Sequence, residues 1–373
     1  MPKVARRAFA AAAAVLVLAS IPTLAHAAPP SFAIVAIDSL RGEWGVAAVS
    51  RWIAVGARSI GARAGAGAWC ALELPDPREG DRVLDLLSKG ISARAALDSL
   101  ALGDDRRGER QIAIVGKSGE TAAKTGDLCP PWSGERFGRG YVCQGVALRD
   151  EAPVTAMAQA FLVARGTLAE RLIAAIEAAE GVFPVRDETE SAALLVVHEG
   201  GGPNGWSDRM VDLRVDSSAD AIPALKSLYA AHAATFLPAA YARFGDEAKR
   251  RGDPVSAERE YARAEDGFRT AIARRPKDAD ARNELAWFLA THDRDVNEAV
   301  NQALVAIHLR DRDPILYDTL AEAEYRSGSL VRAIEAMERA VKYSNGGARY
   351  ADRLKRWTRE RETLEGKGAK TTP

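Results

Sequence analysis

The chain has 373 residues, 47% hydrophobic and 27% charged, a length and composition that suit two globular domains, each with an adequate apolar interior. Its 51 basic and 51 acidic side chains cancel, which excludes an overall field favouring nucleic acid or an anionic membrane. The first element in chain order is a leader: Lys3, Arg6 and Arg7 precede an Ala/Val/Leu run over 8–19, and Ala25-His26-Ala27 follows. Charge, short apolar core and small-x-small site are the parts of a secretory signal, and the run is shorter than the ~20 residues of a membrane span. Cleavage after Ala27 is expected, leaving a periplasmic or secreted chain without a membrane anchor.

From 31 to about 216 the pattern is mixed. Strand-like runs are SFAIVAID (31–38), EWGVAAVS (43–50), GAGAWCALE (65–73), RQIAIVG (110–116), ETAAKTG (120–126), GYVCQGVAL (140–148), SAALLVVHE (191–199) and MVDLRVD (210–216), many separated by Gly, Asp or Pro turns. Apolar residues at helical spacing mark 81–102, broken near Gly90, and 153–180, with Phe161, Leu168, Leu172 and Ile176. Strands joined by tight turns imply antiparallel sheets with helices layered outside them. The expected architecture for 28–233 is an αββα sandwich rather than a doubly wound parallel sheet.

Cys70, Cys129 and Cys143 are expected in an oxidising compartment. Cys129 and Cys143 flank a Pro/Gly-rich loop and are the disulfide candidates; a bridge closing such a loop contributes roughly 3 kcal/mol, provided the Cα separation permits it. Cys70, in an apolar run, reads as a buried thiol.

From about 221 the strand signal stops, and almost everything to 365 is helical. Leu285-Ala286 with Ala299, Ala303 and Ala306 mirrors Leu320-Ala321 with Ala333, Met337 and Ala340. This resembles the tetratricopeptide repeat, a helical hairpin of roughly 34 residues. The copy over 316–344 is the clearer, with Gly328 at its turn; a degenerate third runs from Tyr241 through Gly252, Ala257 and Tyr261 to Arg275. Repeats share a core, so about three units make a module, here over 234–365. RLKRWTRERE (353–362) reads as a solvated capping helix, and 366–373 as a frayed tail.

Several motifs fail on context. Gly116-Lys117-Ser118 lacks the earlier glycine of a phosphate-binding loop and reads as a hairpin turn. GARAGAGA (61–68) lacks the third glycine of a dinucleotide fingerprint, and His198-Glu199 lacks the second histidine of a zinc-protease helix. No elbow motif or serving histidine supports a serine triad. No cofactor and no metal is expected.

SFAIVAID, GEWGVAAVSRWIAVGA, RQIAIVGKSGETAAKTGDLC, GYVCQG and SAALLVVHEGGGPNGWSDRMVDLRVD, in that order, resemble the DUF1028 family over roughly 31–225. The resemblance implies the fold of the N-terminal nucleophile hydrolases, which mostly cleave amide bonds. In that chemistry a side chain at the mature N-terminus attacks a carbonyl, and its own α-amine, with pKa ~8, accepts the proton. Ser31 matches the nucleophile position, with Ser50 and Gln144 as supporting residues around the oxyanion. Asp208 and Arg209 match a motif position suited to orienting substrate. Three departures stand against this. Val146 replaces the asparagine usual after Gln144-Gly145, Ala71-Leu72 stands where Thr-Gln is common, and Ala28-Pro29-Pro30 would precede Ser31 after signal cleavage.

Each residue also has a plainer reading: Ser31 as a first strand residue, Ser50 as a buried hydroxyl, Gln144 as a structural amide, and Asp208–Arg209 as a surface ion pair. Two functions follow. One is an exported amidohydrolase acting on a small amide or peptide. The other is an inactive hydrolase fold whose repeats recognise a protein or peptide partner. Pairing into a homodimer through exposed sheet or helix faces is open to either.

Overall fold

The computed structural model describes residues 29–183 and 190–368. The expected signal over 1–27 lies outside the described residues. So does most of the expected tail.

The N-terminal part runs β1 (Ser31–Asp38), β2 (Glu43–Ser50), α1 (Val55–Arg58), β3 (Ile60–Arg63), β4 (Gly67–Ala71), α2 (Pro77–Ser88), α3 (Ala93–Ala101), β5 (Gln111–Gly116), β6 (Thr121–Thr125), β7 (Gly134–Gly138), β8 (Tyr141–Val146), α4 (Ala152–Val163), α5 (Leu168–Val182), β9 (Glu190–Val197), β10 (Arg209–Ser218) and α6 (Ala221–Thr235). The strands form two antiparallel sheets, ordered β10-β9-β2-β1-β8-β7 and β3-β4-β5-β6.

Period-two alternation sorts the side chains into layers. Phe32, Ile34, Ala47 and Val49 leave one face of the larger sheet and meet Met157, Phe161, Leu172 and Ile176 of α4 and α5. Ala33, Val35, Val46 and Ala48 leave the other face and meet Ala68, Cys70, Ala113 and Val115 of the smaller sheet. The outer face of that sheet, Trp69, Ile112 and Ile114, packs on Val83, Leu87, Leu97 and Leu100 of α2 and α3. The result is the αββα sandwich expected from strand and helix order. Gly116 N–H bonds the Glu120 carbonyl (2.8 Å) and Gly119 lies at φ +84°, so the 116–119 segment is a hairpin turn.

Local chemistry sets the helix ends. Asp76 accepts from Arg78 N–H and Pro77 occupies the first turn, so α2 starts before residue 81. Gly90, at φ +82°, ends it. A capping box between Thr167 and Glu170 restarts the chain after Gly166, which divides the expected 153–180 helix in two. Strands β3 and β7 escaped the sequence pattern because they are short edge strands without buried side chains.

Antiparallel hairpins follow: α7 (Leu237–Arg250) with α8 (Pro254–Arg274), α9 (Ala279–Thr291) with α10 (Val296–Leu309), and α11 (Pro314–Arg326) with α12 (Leu330–Tyr343), closed by α13 (Ala348–Gly368). Asp253, Asp278, Asp295 and Asp313 each cap a helix by accepting from its first-turn amides. Gly252 and Gly328 turn in the left-handed region, and Asp293 takes that role in the middle hairpin. Ala299, Ala303, Ala306, Ala333 and Ala340 are fully buried, letting the helices approach closely. In α13, Trp357 is 2% exposed and stacks on Tyr325 at 4.8 Å, so this helix closes the shared core. The first hairpin is also seated on the sandwich, since Arg243 donates to the Gly200 and Gly202 carbonyls. Among the described residues no helix is long and apolar enough to cross a membrane.

The disulfide expectation is corrected. All three cysteines are free. Cys143 points into the layer beneath α4 and α5, while Cys129 packs against the layer between the sheets. Cys129 lies in the loop between β6 and β7 and Cys143 within β8, so the two thiols enter different layers, which close spacing in sequence does not reveal.

Two outcomes test this packing. A Cβ on Gly80 would lie 1.8 Å from the Trp69 ring, so Gly80→Ala lowers stability in urea unfolding by about 1–3 kcal/mol; an unchanged midpoint contradicts the α2–β4 contact. Protein purified without reductant yields three titratable thiols once unfolded, whereas a single thiol contradicts the separation of Cys129 from Cys143.

Candidate active site between the sheets

Serines stand at or next to the ends of three neighbouring strands of the larger sheet. In register Ser31 of β1 faces Ser50 of β2, and Ser50 faces Ser191 of β9. Alternation directs all three towards the smaller sheet, and they are 2%, 3% and 0% exposed. Ser31 Oγ lies 2.8 Å from Ser50 Oγ and donates to the Pro29 carbonyl at 3.1 Å. Ser31 has one proton, so Ser50 donates within the pair. Ser50 Oγ in turn accepts from Trp52 N–H at 3.0 Å. The result is a directed chain from Trp52 N–H through Ser50 and Ser31 to Pro29. Ser191 supports it by donating to the Trp52 carbonyl (2.5 Å) and accepting from Val55 N–H (3.0 Å), which fixes the loop that supplies Trp52.

Gln144 lies on β8 beside Ala33, one diagonal step from Ser31 and on the same face. Its Nε2 donates to the Cys70 carbonyl at 3.1 Å, across the gap between the sheets. From the smaller sheet Gln111 reaches back, donating to the Gly145 carbonyl (2.8 Å) and Thr125 Oγ1 (3.0 Å); Thr125 donates to Glu135. Both glutamine side chains are fully buried, and among the described residues both Oε1 atoms lack a donor. Two unpaired acceptors buried between the sheets are costly.

The structure thus brings Ser31, Ser50 and Gln144 together. Gln111 and Ser191 belong with them and escaped the sequence reading, although each opens a strand-like run with a polar residue at inward parity. Cys70 is no nucleophile, because burial pushes its thiol far above the usual range.

Asp208 and Arg209 lie elsewhere. Arg209 pairs with Val197 in the ladder, while Ser191 marks the Ser31 end of β9. Six residues of strand separate them, roughly 20 Å. Asp208 Oδ1 accepts from Gly200 N–H in the loop before β10, and Arg209 forms an exposed ion pair with Asp212. Their expected role in orienting a substrate at Ser31 does not fit this distance.

The nitrogen of Ser31 is an amide within the Pro30–Ser31 bond and cannot accept a proton. The Pro29 carbonyl also occupies the direction in which the hydroxyl proton must leave.

No curated protein matches the chain. Among solved structures, protein SPO2555 from Silicibacter pomeroyi, a DUF1028 protein, is 31% identical with a TM-score of 0.49, covering 54% of this chain and 84% of that one. The first tetratricopeptide domain of human RPAP3 is 14% identical with a TM-score of 0.28, covering 35% and 95%. Its second such domain, in complex with an HSP70 peptide, is 21% identical with a TM-score of 0.25, covering 32% and 98%. The family described as of unknown function, DUF1028, matches residues 31–225. Over that segment, more than half of its length, the chain belongs to the DUF1028 family.

Proposed function

We propose that the sandwich is the hydrolase half of an exported enzyme, and that Ser31 becomes its nucleophile when the residues before it are removed. The supporting observation is the directed hydroxyl chain ending on the Pro29 carbonyl. Cleavage of the Pro30–Ser31 bond removes that acceptor and creates an α-amine on the same residue. The amine takes the Ser31 hydroxyl proton as Oγ attacks the carbonyl carbon of an amide. The tetrahedral adduct collapses as the C–N bond breaks, the leaving amine takes the proton, and water then hydrolyses the serine ester. Ser50 keeps Oγ in line, and the Gln144 and Gln111 acceptors receive substrate N–H groups.

Chains made to begin at Ser31 and at Pro29 test this with a panel of aminoacyl p-nitroanilides. Turnover is expected only from the chain beginning at Ser31. Ser31→Ala in that chain lowers it on the order of 10⁴-fold or more, and Ser50→Ala lowers it roughly 10- to 100-fold through loss of one hydrogen bond to the nucleophile. Equal turnover from both chains, or undiminished turnover after Ser31→Ala, contradicts the proposal.

A second reading concerns the repeats. Helices α7, α9, α11 and α13 line a groove of about 610 Å³. Trp287 and Ile315 are 39% and 52% exposed there, and Asn283 Oδ1, one turn before Trp287, is buried without a donor among the described residues. An apolar strip beside an amide that can pair with main chain suits an extended peptide. A peptide array probed with the full chain yields binders that Trp287→Ala loses, with anilide turnover unchanged. Identical array patterns from both proteins contradict it.

A further inference from the structure

A separate cavity of about 800 Å³ opens where the first hairpin meets the sandwich, at the opposite end of the larger sheet from Ser31. Its floor holds Glu43, the first residue of β2, and Tyr241 of α7. Glu43 is 3% exposed and its side chain makes no hydrogen bond or ion pair among the described residues; the Tyr241 hydroxyl, in a residue 6% exposed, is buried without a partner among them. Buried polar groups are ordinarily paired, so two such groups at one cavity point to a missing ligand.

The surrounding charges say what that ligand carries. Arg41 is matched by Asp38 at 3.4 Å, and Arg263 by Glu260 at 2.9 Å. Both guanidiniums are held by other carboxylates and neither forms an ion pair with Glu43, which is left without a direct partner; the Tyr241 hydroxyl from α7 and the Tyr229 hydroxyl from α6 are the other titratable groups facing it. A cation completes the set. Towards the mouth the balance reverses on the α7–α8 side. Glu247 is shared by Arg250 and Arg251, and Glu260 by Arg259 and Arg263, leaving an excess of guanidinium. Glu199 and Asp208 stand on the opposite wall. The ring of His198 lies 4.1 Å from that of Phe244 and forms an apolar side wall.

We propose that this cavity binds a zwitterion, with its primary ammonium on Glu43 and Tyr241 and its carboxylate at the α7–α8 arginines: a free amino acid or the body of a short peptide. The volume is in the range of small-molecule sites and admits either. The inference does not depend on Ser31 acting as a nucleophile. Burial raises the Glu43 carboxyl to about 7. An ammonium binds its ionised form, so complex formation near pH 7 releases protons and affinity rises with pH through this region.

Isothermal titration of the full chain with each of the twenty standard amino acids, dialanine and trialanine tests this. At least one is expected to bind, with proton release at pH 7, and the comparison of amino acids with peptides identifies the source. Glu43→Gln weakens that ligand at least tenfold, and Tyr241→Phe weakens it less. N-acetylation of the ligand abolishes binding whether or not the variants fold. Absence of binding by every probe at millimolar concentration, or equal binding of an N-acetylated ligand, overturns the proposal.

Discussion

Burial of β1 on both faces is the constraint on which the rest depends. Phe32 to Ala36 alternate between the layer under α4 and α5 and the layer between the sheets, and none of them reaches solvent. A strand so enclosed admits polar side chains only at its ends. Ser31 and Asp38 occupy those ends, and the same rule places Ser50, Ser191 and Gln111 at or next to strand termini. The polar belt at the Ser31 end is therefore a consequence of how the sandwich closes. Small side chains let the two sheets approach, so what sits in the belt must be hydrogen-bonded or wait for a partner.

The proposed chemistry turns on the direction of one proton. With Pro29 present, the Ser31 hydroxyl has an acceptor that belongs to its own chain. Removing that acceptor and creating an amine are a single event, so bond cleavage would both clear the hydroxyl and supply its base. The repeats are fastened to the far end of the same sheet through Arg243 and the Gly200–Gly202 loop. The two ends of the larger sheet thus carry separate polar environments, one built mainly from hydroxyls and amides, the other from charged pairs around a carboxyl without a direct partner.

Much of this was legible in the sequence where pattern and burial coincide. The alternation in SFAIVAID and EWGVAAVS, the helical spacing of Leu168, Leu172 and Ile176, and the alanines of the repeats each report a face that packs. Ser31, Ser50 and Gln144 were found through the resemblance, and strand parity explains why they converge. Gln111 and Ser191 were not found, because a polar residue opening a strand looks the same in sequence whether it faces solvent or a second sheet. The failures share that origin. Cys129 and Cys143 are near in sequence, but one lies in a loop and the other on a strand, and they enter different layers. Asp208 and Arg209 match a motif, yet register puts them at the wrong end of β9. Glu43, before an apolar strand, gave no hint of burial because the helices covering it arrive some two hundred residues later.

The measurement that bears most directly on the central claim is the intact mass of the chain recovered from the cells that make it, with sequencing of its first residues. A mature chain beginning at Ser31 is the predicted result. A chain that begins at Ala28 or Pro29 and persists in that form would contradict it, because Ser31 would then keep its amide bond and have no base for the reaction.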